Sequence, residues 1–195
     1  DAIRRHPDRS PALIAGDRTI SYGELTERVR HRLRELALPD RSVVVLSGTN
    51  SAEFVVTYLA LLDGGHVPLL AAAGNAAAQL TAAWSPAATV TAGDHDVDID
   101  LHTDHHIDRH GADAGASLHP DLALLLSTSG STGSPKLVRL SQRNLVANAA
   151  SIVEYLQITA ADRGITTLPL HYCYGLSVLH SHLLAGASVV LTDAS

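Results

Sequence analysis

Residues 124–140 read Leu-Leu-Leu-Ser-Thr-Ser-Gly-Ser-Thr-Gly-Ser-Pro-Lys-Leu-Val-Arg-Leu. The apolar run Leu122 to Leu126 predicts a buried strand, and a loop of hydroxyls and glycines follows it. The hydroxyls of Thr128, Ser129, Ser131 and Thr132, the backbone N–H groups of Gly130 and Gly133, and the ammonium of Lys136 are a donor set suited to phosphate oxygens. Glycine lets the backbone close on such a ligand because no Cβ intervenes. A Walker loop is excluded, since it requires Gly-Lys-Ser/Thr at the start of a helix. Here Pro135 precedes Lys136 and Leu137 follows it. Pro135 pushes Ser134 toward extended geometry, so the loop is expected to return into a second strand. Lys136 is the one lysine among 14 basic residues. A compact ammonium at that point suits a phosphate better than a planar guanidinium. The alternative is an ordinary Gly/Ser surface hairpin carrying a chance lysine.

Thr128 to Lys136 resembles the signature loop of the adenylate-forming enzymes, which include acyl-CoA synthetases, aryl-acid ligases and the adenylation domains of peptide synthetases. Further stretches are similar to that family. They are Pro7 to Leu13 with Ile20 to Leu25, Ser141-Gln-Arg-Asn144, and Leu168-Pro-Leu-His-Tyr-Cys-Tyr-Gly-Leu176 followed by Leu183 to Ala187. Leu137 stands where the family usually has Gly, and Gln142 where it usually has His. The resemblance covers nearly the whole chain. It implies the first part of the large N-terminal domain of such an enzyme, with residues 1–195 forming a partial AMP-binding domain.

The resemblance also implies a chemistry. A carboxylate attacks the α-phosphorus of ATP, pyrophosphate leaves, and the acyl adenylate passes to a thiol of CoA or of a carrier protein's phosphopantetheine. Such a step rests on positioning and charge neutralisation. Thr128, Ser129, Gly130, Ser131, Thr132, Gly133 and Lys136 would hold the departing phosphates, Lys136 and Thr132 being the catalytic pair, with Mg²⁺ sharing the charge. No later Thr-Glu motif, ribose-binding Asp or second lysine occurs, so the expectation is a piece of a longer enzyme that does not turn over alone. A gap-free alignment on Leu183 to Ala187 places Tyr172 at an aromatic gate of the acyl pocket, beside Cys173 and Gly175. Cys173 falls where amino-acid-activating domains carry an Asp that pairs the substrate ammonium. A thiol gives no such counter-charge near neutral pH. The substrate is therefore expected to be a fatty, short-acyl or aryl acid rather than an α-amino acid. A peptide-synthetase adenylation domain and a non-catalytic nucleotide-binding or assembly module are the alternatives, since fold does not guarantee activity. Cys173 itself reads as a small core residue rather than a nucleophile, and His171, His180 and His182 as structural histidines.

A chain of 195 residues can bury one good core. With 46% hydrophobic and 17% charged residues it is globular rather than disordered. A net charge of −6 provides no basic face for nucleic acid. One cysteine fits a reducing, cytoplasmic setting. No run approaches the roughly 20 apolar residues of a membrane span.

Strand and helix signals alternate along the chain, which predicts an α/β fold: a doubly wound, mostly parallel sheet with flanking helices. Pro11 to Ala15 and Arg18 to Ile20 flank a Gly16-Asp17 hairpin signal. Ser21 with Glu24 reads as a capping box for a helix carrying Leu25, Val29, Leu33 and Leu36. Arg28, Arg30, Arg32 and Arg34 on that helix read as a solvated face. Strands are expected at 42–47, 67–70, 87–92, 122–126, 164–168 and 188–192. Helices are expected at 51–63, 74–84, 142–157 and 174–185, with Ser51 and Ser141 as caps. In the latter pair of caps, Ser141 precedes Asn144 and Asn148, which read as helix-surface polarity. In such sheets ligands lie beyond the carboxyl ends of the strands, where the 128–134 loop begins. The Asp/His-rich stretch 94–110 reads as a polar edge strand and loop, because Val97, Ile99 and Leu101 alternate with aspartates and no spaced metal-ligand signature is present.

Overall fold

The computed structural model describes residues 5–39, 41–102, 118–127 and 136–192. In chain order the elements are β1 (Pro11–Ala15), β2 (Arg18–Ser21), α1 (Tyr22–Leu36), β3 (Val43–Gly48), α2 (Ala52–Asp63), β4 (Val67–Ala71), α3 (Asn75–Trp84), β5 (Ala88–Ala92), β6 (Val97–Leu101), β7 (Leu122–Ser127), β8 (Leu137–Ser141), α4 (Gln142–Leu156), β9 (Arg163–Thr166), α5 (Cys173–Ala185) and β10 (Ser188–Leu191). The α/β expectation holds, but the strands divide between two sheets. One has six strands in the order β6-β5-β3-β4-β7-β8, and the other has four in the order β2-β1-β10-β9.

In the larger sheet β5, β3, β4 and β7 are parallel, while the outer strands β6 and β8 pair antiparallel to β5 and β7. Its central strands alternate between two cores, as the period of two requires. Val44, Leu46, Leu70, Leu124 and Leu126 face one core, with α2 and α5. Val45, Leu69 and Leu125 face the other, against Ala77 and Leu80 of α3. α2 buries Phe54, Val55, Val56, Tyr58, Ala60 and Leu61, apolar on nearly every side. That pattern marks a helix enclosed between layers rather than lying on the surface. Ala12, Leu13, Val189 and Leu191 of the smaller sheet enter the same core, so α1, α2 and α5 are packed in common with both sheets. β6 is the polar edge strand expected from its alternation: Asp98 and Asp100 are exposed.

Local polar groups fix the ends of these elements. Ser51 Oγ accepts the Phe54 N–H at 3.1 Å. Ser21 Oγ accepts from Glu24 N at 3.2 Å, but the Glu24 carboxylate turns to Arg18 at 2.9 Å, so only half of the expected box forms. The complete box lies at α4. Ser141 N donates to Asn144 Oδ1 at 2.9 Å, and Asn144 N donates to Ser141 Oγ at 3.2 Å. The arginine face of α1 is not simply solvated. Arg28 and Arg32 both pair with Glu53 of α2, the Arg32 contact being 2.8 Å, and the three side chains are only 13–21% exposed. Arg41 holds the start of β7, donating to the carbonyls of His119, Pro120 and Leu122 at 2.6–3.0 Å and to Gly65 O at 3.1 Å.

Candidate active site

The carboxyl ends of β3, β4, β5 and β7 form one edge of the six-stranded sheet, because these strands run parallel. β7 ends at Ser127, whose register partner on β8 is Leu137. Lys136 is exposed and immediately precedes that pair. The strand–loop–strand arrangement expected from Pro135 is therefore present at its two ends. Thr128, Ser129, Gly130, Ser131, Thr132 and Gly133 lie outside the described residues.

β3 ends in a constricted turn at the same edge. Gly48 has φ +151, and a Cβ there would overlap the Ala92 carbonyl oxygen. Only glycine accommodates this approach of two parallel strands. Thr49 N donates to Ala92 O at 3.2 Å, and Thr49 Oγ1 to Asp94 Oδ1 at 2.8 Å. Asn50 follows, 8% exposed, and its side chain leaves this sheet altogether. Asn50 Nδ2 donates to Leu168 O at 3.1 Å and to Thr166 O at 3.4 Å, and Oδ1 accepts from Leu170 N at 2.8 Å. Thr166 ends β9, so the carboxyl ends of β3 and β9, which belong to different sheets, meet at this amide.

The 167–176 segment carries the expected acyl-pocket residues. Tyr172 stands at the N-cap of α5 and is 55% exposed, and Tyr174 is 63% exposed. Cys173 is exposed too, contrary to its reading as a core residue. The first turn of α5 projects it outward, a placement that helix periodicity did not reveal. Gly175 is buried, and a Cβ there would come within 2.5 Å of Pro169 O and 2.8 Å of Leu168 O. It is thus required for packing the first turn of α5 under the preceding turn. The His171 ring lies tilted against that of Tyr172 with centroids 5.2 Å apart, and burial holds the histidine below its usual range.

His180 and His182 turn inward. His180 Nε2 pairs with the Tyr58 hydroxyl at 2.9 Å, and burial lowers His180 to about 4. His182 Nδ1 bonds the Val178 carbonyl at 2.8 Å. Asn148 Nδ2 donates to Ser177 Oγ at 3.1 Å and so ties α4 to α5, rather than pairing with Asn144 on the surface. Among the described residues, no group of three His, Cys, Asp or Glu could hold a metal ion, and residues 103–110 of the Asp/His-rich stretch lie outside them. No helix among the described residues is long and apolar enough to cross a membrane.

Sequence reasoning missed Asn50 and Arg41. Asn in Gly-Thr-Asn-Ser reads as an ordinary turn residue, and its three long-range bonds leave no local pattern. The two candidate regions, Lys136 and Tyr172 to Gly175, follow the carboxyl ends of β7 and β9, one in each sheet.

Residues 1–195 match the family described as AMP-binding enzyme. An oxalate–CoA ligase of Arabidopsis thaliana is 31% identical over 226 residues, covering 100% of this chain and 44% of that protein. A salicyl-AMP ligase / salicyl-S-ArCP synthetase of Mycobacterium tuberculosis is 29% identical, covering 97% of this chain and 41% of that protein. Among solved structures, ATP-bound MatB from Rhodopseudomonas palustris aligns with a TM-score of 0.78 at 25% identity, covering 98% of this chain and 44% of that one. The chain spans less than half the length of these relatives.

Proposed function

The chain belongs to the AMP-binding enzyme family, and from that premise we propose that it serves the ATP-dependent activation of a carboxylic acid. In this reaction the acid's carboxylate oxygen bonds to the α-phosphorus of ATP and the α–β phosphoanhydride breaks. Pyrophosphate leaves, and the mixed anhydride then yields its acyl group to a thiol of CoA or a carrier protein while AMP departs. Thr128, Ser129, Gly130, Ser131, Thr132, Gly133 and Lys136 hold the departing phosphates, and Thr132 and Lys136 neutralise the developing charge. Mg²⁺ enters with ATP, and no residue of this chain is assigned to it. Tyr172, Cys173 and Gly175 belong to the acid side of the site.

The observation that carries this reading is the register of β7 on β8. It sets Lys136 at the mouth of a strand–loop–strand turn, on the edge where α/β sheets receive ligands. The acid is one without an α-ammonium, because Cys173 offers no counter-charge and burying an unpaired ammonium costs several kcal/mol. The relatives include proteins named for oxalate and salicyl activation and also a linear gramicidin synthase subunit, so they support acid activation in general, and the choice of acid rests on Cys173.

Carboxylate-dependent pyrophosphate exchange by the intact protein tests the reading. Lys136→Ala should lower exchange about a hundredfold with the melting temperature held. Hydrocinnamic acid should exceed phenylalanine, and 4-methylpentanoic acid leucine, by about a hundredfold in kcat/KM. An unchanged rate in a folded Lys136→Ala protein would refute the phosphate role. Preference for the amino acids would replace the acyl reading with an amino-acid-activating one.

A further inference from the structure

We propose that Asn50 is a positioning residue for the acid substrate. Its buried carboxamide would set the acid side of the site, on the smaller sheet, relative to the phosphate side, on the larger one. The inference rests on the adenylation reading and goes beyond it, since Asn50 belongs to neither the phosphate loop nor the acyl pocket.

Among the described residues the two sheets share no paired strand. Apolar packing between them holds layers together but specifies no direction. Asn50 supplies directed bonds at the edge where both candidate regions lie. Its three partners, Thr166 O, Leu168 O and Leu170 N, are 116 to 120 residues away in sequence. Leu170 is only 1% exposed, and its N–H points to Oδ1 at 2.8 Å. Without that acceptor a buried donor would go unsatisfied.

The effect of Asn50 reaches the pocket through the backbone. The Pro169 carbonyl, inside the clasped turn, accepts the Tyr172 N–H at 3.0 Å. Tyr172 O in turn accepts Leu176 N at 3.1 Å, opening α5. Gly175 lies tight beneath Leu168 O and Pro169 O. A shift of the 168–170 turn therefore moves Tyr172 and the first turn of α5 with it. Asn50 is also joined to the larger sheet. Thr49 is held by Ala92 O, and Ser51 caps α2. The amide thus sets one half of the site against the other, and an error there displaces the acid without disturbing the phosphates.

Asn50→Asp keeps an oxygen for the Leu170 N–H but turns a second oxygen toward the carbonyls of Thr166 and Leu168. Asn50→Ser is the milder variant and guards against loss of folding. In acid-dependent pyrophosphate exchange by the intact protein, Asn50→Asp should raise the acid KM about tenfold or more, with Asn50→Ser intermediate. The KM for ATP should stay within about twofold. Hydrogen exchange at the Leu170 amide should accelerate in both variants. Faster amide exchange with both KM values unchanged would overturn the positioning role and leave Asn50 a fold element. An equal rise in the KM for ATP would overturn it as well. Wild-type protein that shows no acid-dependent exchange would refute the adenylation reading and the acid-positioning role with it, whereas a lost acid KM effect in an active enzyme refutes the role of Asn50 alone.

Discussion

Acidification should destabilise this fold through His180. The ring joins α5 to Tyr58 of α2, with Nε2 2.9 Å from the hydroxyl and the rings stacked at 5.7 Å between centroids. Burial lowers the histidine to about 4 and raises the Tyr58 hydroxyl well above its usual range, so both are neutral near pH 7. An unfolded histidine titrates near 6.5. Between those values the unfolded chain binds a proton that the native chain does not. Stability therefore rises with pH through this window, is complete above about 6.5, and is lost as pH falls toward 4. A fall from about 6.5 to about 4 corresponds to on the order of 3 kcal/mol. His180 as a residue is only partly buried, and allowing for solvent screening leaves about 1–3 kcal/mol. The variant His180→Gln keeps a polar partner for Tyr58 and does not titrate. Urea unfolding of both proteins from pH 7.5 to 4.5 isolates the term from the other histidines. Wild type should lose about 1–3 kcal/mol more than the variant over that span. Parallel stability curves, or a His180 titration near 6.5 by NMR, would refute the assignment.

Two further outcomes concern the scaffold. Gly48→Ala should cost about 2–4 kcal/mol in urea unfolding, because the added Cβ overlaps the Ala92 carbonyl on backbone that only glycine adopts easily; a change below about 0.5 kcal/mol would show that the strands separate freely. Glu53→Gln should cost about 2–4 kcal/mol, since Arg28 and Arg32 would lose their shared carboxylate while remaining mostly covered; a high-salt titration that abolishes the difference would instead mark the pair as a screened surface contact.

Most strands and helices were legible because their signals are local. The alternation of Val97 to Leu101 showed a strand with one wet face, and Ser51 and Ser141 capped their helices as their types require. The break into two sheets was not legible. Strand order depends on pairings between distant residues, as in Leu13 with Val189, and no local pattern encodes those. The same limit explains the arginines of α1. Helical spacing separates Arg28 and Arg32 from the apolar stripe, but Glu53 on another helix decides that they are paired. Cys173 failed for a related reason: residue type favours burial, whereas Cys173 and Tyr174 lie on the exposed side of the opening turn of α5.

Asn50 shows why a proposed positioning residue can escape a motif-based reading. The candidate phosphate loop was legible because its hydroxyls, glycines and lysine form one contiguous run. A residue that orients two halves of a site needs no neighbours of special type, only an amide at the right depth. Hydrophobic contact between α2, α5 and both sheets supplies the cohesion of the fold, and it would tolerate small sliding of one layer on another. Three directed bonds from one buried carboxamide do not tolerate such sliding, since each weakens steeply with misalignment. The number of bonds matters as well: a single bond would leave the 168–170 turn free to rotate about it, whereas a donor pair on one side and an acceptor on the other fix both distance and orientation. On the proposed reading, the turn that leads into Tyr172 is then set from the far sheet, by a residue outside the proposed acid pocket.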